Sequence, residues 1–332
     1  GWWCMNILRG ILFIFMLFSS ALVAVAGSGR NAEEYGGYPA TFLRLEADSP
    51  EQQDLATPVA SYVNDGGQEV RLIGAMHVAE PEYYDRLNKL FGQCDLLLFE
   101  MIGGEGLQRQ EELRSRIDRS KPLDGLTQEE AREWNQLEAW EKEQREKESS
   151  FLLNWLGKAY KRFSKALNLQ AQMDGIDYSP SHFVHADMTM GEFRKAQEEK
   201  KESFMGLMAK EIVSSLQEEY CGYQPNQIKM AMDLITGNVS GLKNELMRLL
   251  AYTSSDSLED TVILKGRNAK CMEIFDQWKG KGARKIGIFY GAAHLPGLHA
   301  ELLKRGYRLR EVQWLTAWNT REQADGRDAD QD

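Results

Sequence analysis

Two apolar runs, residues 71–77 and 286–294, stand out from the hydrophobic pattern of this chain. Both close on Gly-Ala-x-His, first with Gly74 and His77 and then with Gly291 and His294. An apolar run of about four to eight residues bounded by glycine predicts a buried strand. Each histidine is therefore predicted to follow the carboxyl end of a strand, the edge at which open α/β sheets bind ligands. Glycine at these positions allows a tight turn or a close approach to a ligand.

The residues after each histidine are also similar. A proline, Pro81 or Pro296, opens an amphipathic stretch, which is typical of the first turn of a helix. A further strand follows each helix, over 95–100 in the first case and 307–318 in the second. The pattern predicts an α/β fold with a strand–GxxH–helix–strand unit that occurs twice around a mixed sheet. Pro58 to Ile73 is predicted to form a hairpin that leads into the first unit.

The middle of the chain is predicted to be helical. Residues 107–170 form a helical insertion, within which 151–167 is an amphipathic helix with a basic face. Such a helix packs on its own domain, which we favour, or lies on a membrane surface. Residues 191–280 are mostly helical, and Cys221 to Pro225 interrupt them. Cys94 and Cys271 lie in apolar contexts and are predicted core residues, and the absence of a CxxC pair argues against a thiolate zinc site.

The first 26 residues have the charge pattern and apolar core of a signal peptide. A short, positively charged segment that contains Arg9 precedes an uncharged apolar run over 11–25. Ala24-Val25-Ala26 then matches the A-x-A pattern of a signal-peptidase cleavage site. We expect a periplasmic or secreted protein, with a membrane anchor at 11–25 as the alternative. A lead-in over 27–56, a single domain over 57–318 and a disordered tail over 319–332 complete the expected organisation.

Composition adds size and charge to this picture. The chain has 332 residues, of which 42% are hydrophobic, enough for a sizeable core. Its formal net charge of −10 and pI of about 5.2 give no basic surface of the kind that nucleic-acid binding needs. No nucleic-acid partner is expected.

Candidate chemistry collects at the predicted strand ends. Glu100 directly follows a buried strand and should lie at the same sheet edge as His77 and His294. Two imidazoles and a carboxylate with open positions suit a catalytic divalent metal, which would support hydrolysis of an amide or ester. Without a metal, the same groups could act as general base and orienting acid. Asp187 ends another predicted strand and is a further candidate.

A charged residue falls on the apolar face of the last long helical stretch. Arg267 lies three residues after Leu264 and four before Cys271. It is either an ion-pair partner for a site carboxylate or a side chain that extends its head to solvent, and we favour the first. Asn268 beside it could orient a metal ligand. His182 and His185 should point to opposite faces of a strand over 182–186, so they should not share one metal.

The two GxxH motifs, Glu100 and the pair Arg267-Asn268 resemble the TraB/PrgY/TIKI family, which includes GumN-like bacterial proteins. Erythromycin esterase and the ChaN haem- and iron-binding proteins are more distant relatives of that family. The resemblance implies a pseudo-repeated α/β core, with a metal held by His77, Glu100 and His294. Arg267, Asn268, Asp187, Gly74, Gly291 and Tyr290 are then supporting positions.

The resemblance also implies an activity. For the TIKI branch it implies metal-dependent proteolysis, with Mn²⁺ or Co²⁺ as the expected metal and Zn²⁺ or Fe²⁺ as alternatives. The substrate would be a peptide or a small amide or ester. The alternative function is a non-catalytic protein that sequesters a peptide signal or binds iron or haem.

Overall fold

The computed structural model describes residues 43–49, 51–104, 127–129, 131–132, 134–135, 165, 167–202, 226–252 and 261–320. The predicted signal segment, most of the insertion, the interruption at 221–225 and residues 321–332 of the predicted tail lie outside these residues. The tail was predicted to begin at Asn319, but Asn319 is the last residue of a strand, Arg308–Asn319. Among the described helices, none is both long enough and apolar enough to cross a membrane.

Seven of the described strands form one mixed sheet. They are β1 Arg44–Ser49, β2 Gln52–Val63, β3 Glu69–Ala75, β5 Leu96–Phe99, β7 Phe183–His185, β8 Lys285–Gly291 and β9 Arg308–Asn319. Their order in the sheet is β9-β2-β3-β8-β5-β7, with β1 beside the first half of β2. Strands β3, β8, β5 and β7 are parallel, whereas β2 is antiparallel to β1, β3 and β9. Strands β4 (Val78–Ala79) and β6 (Gln170–Ala171) form a small antiparallel pair of their own.

Helices connect the strands and cover the sheet. They are α1 Pro81–Phe91, α2 Gln172–Gly175, α3 Met190–Lys200, α4 Gln227–Thr236, α5 Val239–Tyr252, α6 Arg267–Trp278 and α7 Leu295–Lys304. A π-helical turn, Val262–Gly266, precedes α6, and a 3₁₀ turn, Ala292–His294, precedes α7. The mixed sheet with its helices confirms the predicted α/β fold class.

Both predicted strand–helix–strand units are present, as β3–α1–β5 and β8–α7–β9. Pro81 and Pro296 lie in the first turn of their helices, as the sequence predicts. Strand β9 is antiparallel to β2, which is antiparallel to β3, so β9 runs in the same direction as β3 and β8. Each unit therefore joins two strands of the same direction through a helix.

The amino-terminal side of the sheet extends beyond the predicted hairpin. Val59 pairs with Ile73, which confirms the hairpin of β2 and β3. However, residues 44–49 and 52–56, predicted as part of the lead-in, are also paired strands of the sheet. The sequence did not indicate β1 because none of its residues is buried and it therefore has no alternating apolar pattern. Strand β7 is likewise shorter than predicted, covering 183–185.

The central parallel strands carry the core. Strands β3, β5 and β8 are buried along most of their length, which explains their continuous apolar runs. Cys94 and Cys271 are buried free thiols, as predicted for core residues.

We expect Gly74→Ala to destabilise the fold by about 1–3 kcal/mol, because it overpacks a filled contact. A Cβ at Gly74 would lie 3.1 Å from Pro58 Cδ and 3.2 Å from the Pro58 carbonyl oxygen. Urea unfolding of the two proteins measures the difference. Gly280→Ala is the matched control, since a Cβ there meets nothing within 4 Å. Equal losses in both variants would contradict the role of close packing at Gly74.

Candidate functional site

Four polar side chains lie at one edge of the sheet, where the parallel strands end. Because Ala75 pairs with Gly291 and Phe99 pairs with Phe289 and His185, the strands β3, β8, β5 and β7 end close together. His77, His294, Glu100 and Asp187 follow these four ends. The structure thus brings together the residues that the sequence placed at strand ends.

Glu100 lies at the centre of the cluster and is 8% exposed. Arg267 Nη2 donates to its Oε1 at 2.5 Å, and the Gly291 backbone N–H donates to its Oε2 at 2.5 Å. Burial alone would raise the pKa of Glu100, but Arg267, with smaller contributions from His294, His77 and the Gly291 N–H, lowers this pKa to about 2. Glu100 is therefore ionised at neutral pH.

Arg267 is the first residue of α6 and is 6% exposed. Its Nε donates to Asp187 Oδ1 at 3.0 Å, and its Nη2 donates to Asp187 Oδ2 at 2.5 Å as well as to Glu100. Burial lowers the pKa of Arg267, but the two carboxylates outweigh burial and raise the pKa above its ordinary value. The prediction that Arg267 pairs with a site carboxylate is confirmed, and it pairs with two.

Asn268 fixes the imidazole of His294. The Asn268 amide nitrogen donates to the His294 carbonyl oxygen at 3.2 Å, so the amide oxygen is the acceptor that lies 2.7 Å from His294 Nδ1. Nδ1 must therefore carry the proton. Burial lowers the pKa of His294 to about 4, although Glu100 raises it. At neutral pH the other nitrogen, Nε2, therefore presents a lone pair.

His77 as a residue is half-buried, and its Nε2 is buried without a hydrogen-bond partner among the described residues. Burial lowers the pKa of His77, against an opposing effect of Glu100. Tyr290 lies behind the cluster. Its hydroxyl donates to the Ala186 carbonyl, and its ring meets that of His294 edge-on at 5.1 Å between centroids.

His182 and His185 lie outside this cluster. His182 Nε2 donates to the Phe91 carbonyl at 3.2 Å, and His185 Nε2 donates to the Met101 carbonyl at 2.6 Å. The two rings thus bond to different segments, and His185 holds the loop that follows Glu100.

A profile of the TraB/PrgY/gumN family matches residues 61–311. The chain belongs to the TraB/PrgY/gumN family. The matched range includes both GxxH motifs, Glu100 and the pair Arg267-Asn268, which carried the resemblance. Searches of curated proteins and of solved structures found no match. The more distant relation to erythromycin esterase and the ChaN proteins therefore stays a prediction.

Two further residues beside His77 in this TraB/PrgY/gumN chain, Gln172 and Tyr178, were not among the residues predicted from the sequence. Gln172, 6% exposed, donates its backbone N–H to the His77 carbonyl at 2.8 Å. Its Nε2 donates to the Tyr178 hydroxyl at 2.9 Å. No motif marks either residue, because the two-residue strand β6 that positions Gln172 is too short to give a periodic pattern.

The donor set in this family member matches a divalent metal in type. His294 Nε2 lies 3.5 Å from Glu100 Oε1. Both atoms carry lone pairs at neutral pH, so they repel unless a proton or a cation lies between them. In the described part of the chain, no group of three His, Cys, Asp or Glu side chains is already arranged to hold a metal ion. A metal would have to share Glu100 with Arg267 and draw His77 toward it.

Proposed function

We propose that this protein is a metal-dependent hydrolase of the cell envelope or the secreted fraction, acting on a peptide or a small amide or ester. His77, His294 and Glu100 would hold the divalent metal, with Mn²⁺ or Co²⁺ expected and Zn²⁺ or Fe²⁺ as alternatives. The observation that carries the proposal is the lone pair of His294 Nε2 facing Glu100 Oε1 at 3.5 Å.

Each residue of the cluster has a role in this proposal. When bound, the metal would polarise the substrate carbonyl and lower the pKa of a water molecule. Glu100, with a pKa of about 2, is a poor proton acceptor at neutral pH and suits a ligand role better than that of general base. Arg267 forms ion pairs with both Glu100 and Asp187 and lowers the pKa of Glu100, which keeps Glu100 ionised. Asn268 keeps the proton of His294 on Nδ1, so Nε2 stays available to the metal.

We expect the wild-type chain to hold about one metal per chain, as for a single catalytic site. His77→Ala and His294→Ala should both lose the metal, because each removes a ligand. The measurement is elemental mass spectrometry after separate reloading with Mn²⁺, Co²⁺, Zn²⁺ or Fe²⁺. His182→Ala is the matched control and should keep the metal. A wild-type chain that takes up no metal under any loading contradicts the proposal.

Turnover is tested separately, on the metal-loaded wild type with a peptide library. Cleavage that disappears in His294→Ala supports the hydrolase. A metal-loaded protein that cleaves no member of the library with any of the four metals contradicts the hydrolase and favours the second function below.

The second candidate is a non-catalytic binder of a peptide signal, iron or haem. The different exposure of the three residues favours it: Glu100 and His294 are only 8% and 2% exposed, whereas His77 is half-buried and could contact a ligand without the other two. Addition of haem tests one form of this function. A Soret band that is lost in His77→Ala supports haem binding, and an unchanged haem spectrum excludes it.

A further inference from the structure

Two buried polar atoms beside the cluster have no hydrogen-bond partner among the described residues. They are His77 Nε2 and Gln172 Oε1. A buried donor or acceptor without a partner lowers the stability of the fold, and most buried polar groups in proteins do have a partner. The two atoms belong to segments that are paired with each other.

The register of that pairing places the two side chains together. Strands β4 and β6 pair Val78 with Ala171 and Ala79 with Gln170, so the next opposing residues are His77 and Gln172. The Gln172 N–H donates to the His77 carbonyl at 2.8 Å, which continues the ladder by one residue. Directly opposed residues of an antiparallel pair have their Cβ atoms about 4.5–5.5 Å apart on the same face. The Gln172 carboxamide is therefore within reach of the His77 ring.

The orientation of the Gln172 amide follows from its other contact. Its Nε2 donates to the hydroxyl of Tyr178, a residue that is 4% exposed. The amide oxygen is consequently the end that remains for a second partner.

The second GxxH histidine shows the same arrangement in completed form. The Asn268 amide nitrogen is fixed by the His294 carbonyl, and the Asn268 oxygen accepts from His294 Nδ1. In both places a residue with a carboxamide side chain donates a hydrogen bond to the carbonyl oxygen of the histidine. Asn268 donates from its side-chain amide to His294, and Gln172 donates from its backbone N–H to His77.

We propose that Gln172 is the positioning residue of His77: Gln172 Oε1 accepts a hydrogen bond from Nε2–H and leaves the Nδ1 lone pair for a ligand. This bond would satisfy both orphaned atoms at once. The ligand role of Nδ1 rests on the proposed function, whereas the tautomer of His77 does not. Metal-binding histidines commonly donate their second N–H to an oxygen acceptor in this way.

The tautomer is measured first, on the full chain without metal. Long-range ¹H–¹⁵N NMR of the histidine-labelled protein distinguishes the two neutral tautomers, and His77→Ala assigns the ring. We expect the Nε2–H tautomer for His77 in the wild type and a mixture with Nδ1–H in Gln172→Met, which removes the acceptor at similar length. Gln172→Glu keeps an acceptor oxygen and should restore Nε2–H. An Nδ1–H tautomer in the wild type, or no change in Gln172→Met, overturns the proposal.

Two controls separate positioning from a general loss of structure. Gln93→Met makes the same exchange at an exposed glutamine and should leave the His77 tautomer unchanged. The Nδ1–H tautomer of His294 should persist in every variant, because Asn268 holds it. If Gln172→Met does not fold, the test passes to Gln172→Glu, and loss of the Nε2–H tautomer in that folded variant contradicts the proposal.

Metal affinity is measured second, with Mn²⁺ alone as the probe. We expect the dissociation constant to rise about 10–100-fold in Gln172→Met, the usual effect of removing a group that orients a ligand. An unchanged dissociation constant in the folded variant contradicts the positioning role. A wild type that binds neither Mn²⁺ nor any other metal contradicts the proposed function, and the tautomer experiment still decides the inference about Gln172.

Discussion

Arg267→Met is expected to destabilise the protein by about 3–5 kcal/mol, the usual cost of removing one partner from a buried ion pair. The guanidinium bonds to both Glu100 and Asp187, and the side chains of these three residues are 7% exposed or less. Methionine keeps much of the side-chain volume but leaves two buried carboxylates without a counter-charge. Urea unfolding at pH 7 measures the difference from the wild type.

Two further variants show whether charge is the cause. Arg308→Ala removes an exposed ion pair with Asp65, whose side chains are 64% and 88% exposed, and should cost less than about 1 kcal/mol. Glu100→Gln and Asp187→Asn together, in the Arg267→Met background, should recover much of the loss because both buried charges are then removed. A loss below about 1 kcal/mol in Arg267→Met would contradict the central role of Arg267 in the cluster.

Lowering the pH from 7 to 4.5 is expected to cost the metal-free protein about 2–3 kcal/mol of stability. The folded chain holds the pKa of His294 at about 4 instead of 6.5, chiefly through burial. In this interval the unfolded chain takes up a proton that the folded chain does not, so acid favours unfolding. His77 has a lowered pKa too and acts in the same direction. Stability is full above pH 6.5 and falls as the pH approaches 4.

The pH interval is chosen to separate the histidines from the carboxylates. Glu100 has a pKa of about 2 when folded against an ordinary value of 4.5, so most of its contribution to stability is lost below the measured interval. Urea unfolding in EDTA at several pH values gives the slope. His294→Asn should reduce the slope, whereas His182→Asn should retain it, since His182 lies outside the cluster. A wild-type stability that stays constant from pH 7 to 4.5 would contradict the neutral buried state of His294.

The amino-acid sequence by itself determined which strands carry the candidate site. Continuous apolar runs occur because β3, β5 and β8 are buried between layers, and such runs are visible without a structure. Because these strands are parallel, their carboxyl ends lie at the same edge of the sheet, and so do the residues that follow them. The position of Arg267 on an apolar helix face left two possibilities, a buried counter-charge or a side chain that extends to solvent. The structure shows the first, which the sequence favoured.

Only the tertiary structure decided the contacts that orient these residues. Strand β1 is an exposed edge strand without an apolar pattern, and β6 has two residues, so neither gives a local signal. The position of Gln172 depends on β6 pairing with β4, a contact between distant parts of the chain. Hydrophobic periodicity reports which face of an element is buried, but it does not report which distant residue a side chain meets. The proton position on each of the two histidine rings depends on such a long-range contact. Asn268 sets it on His294, and Gln172 is proposed to set it on His77.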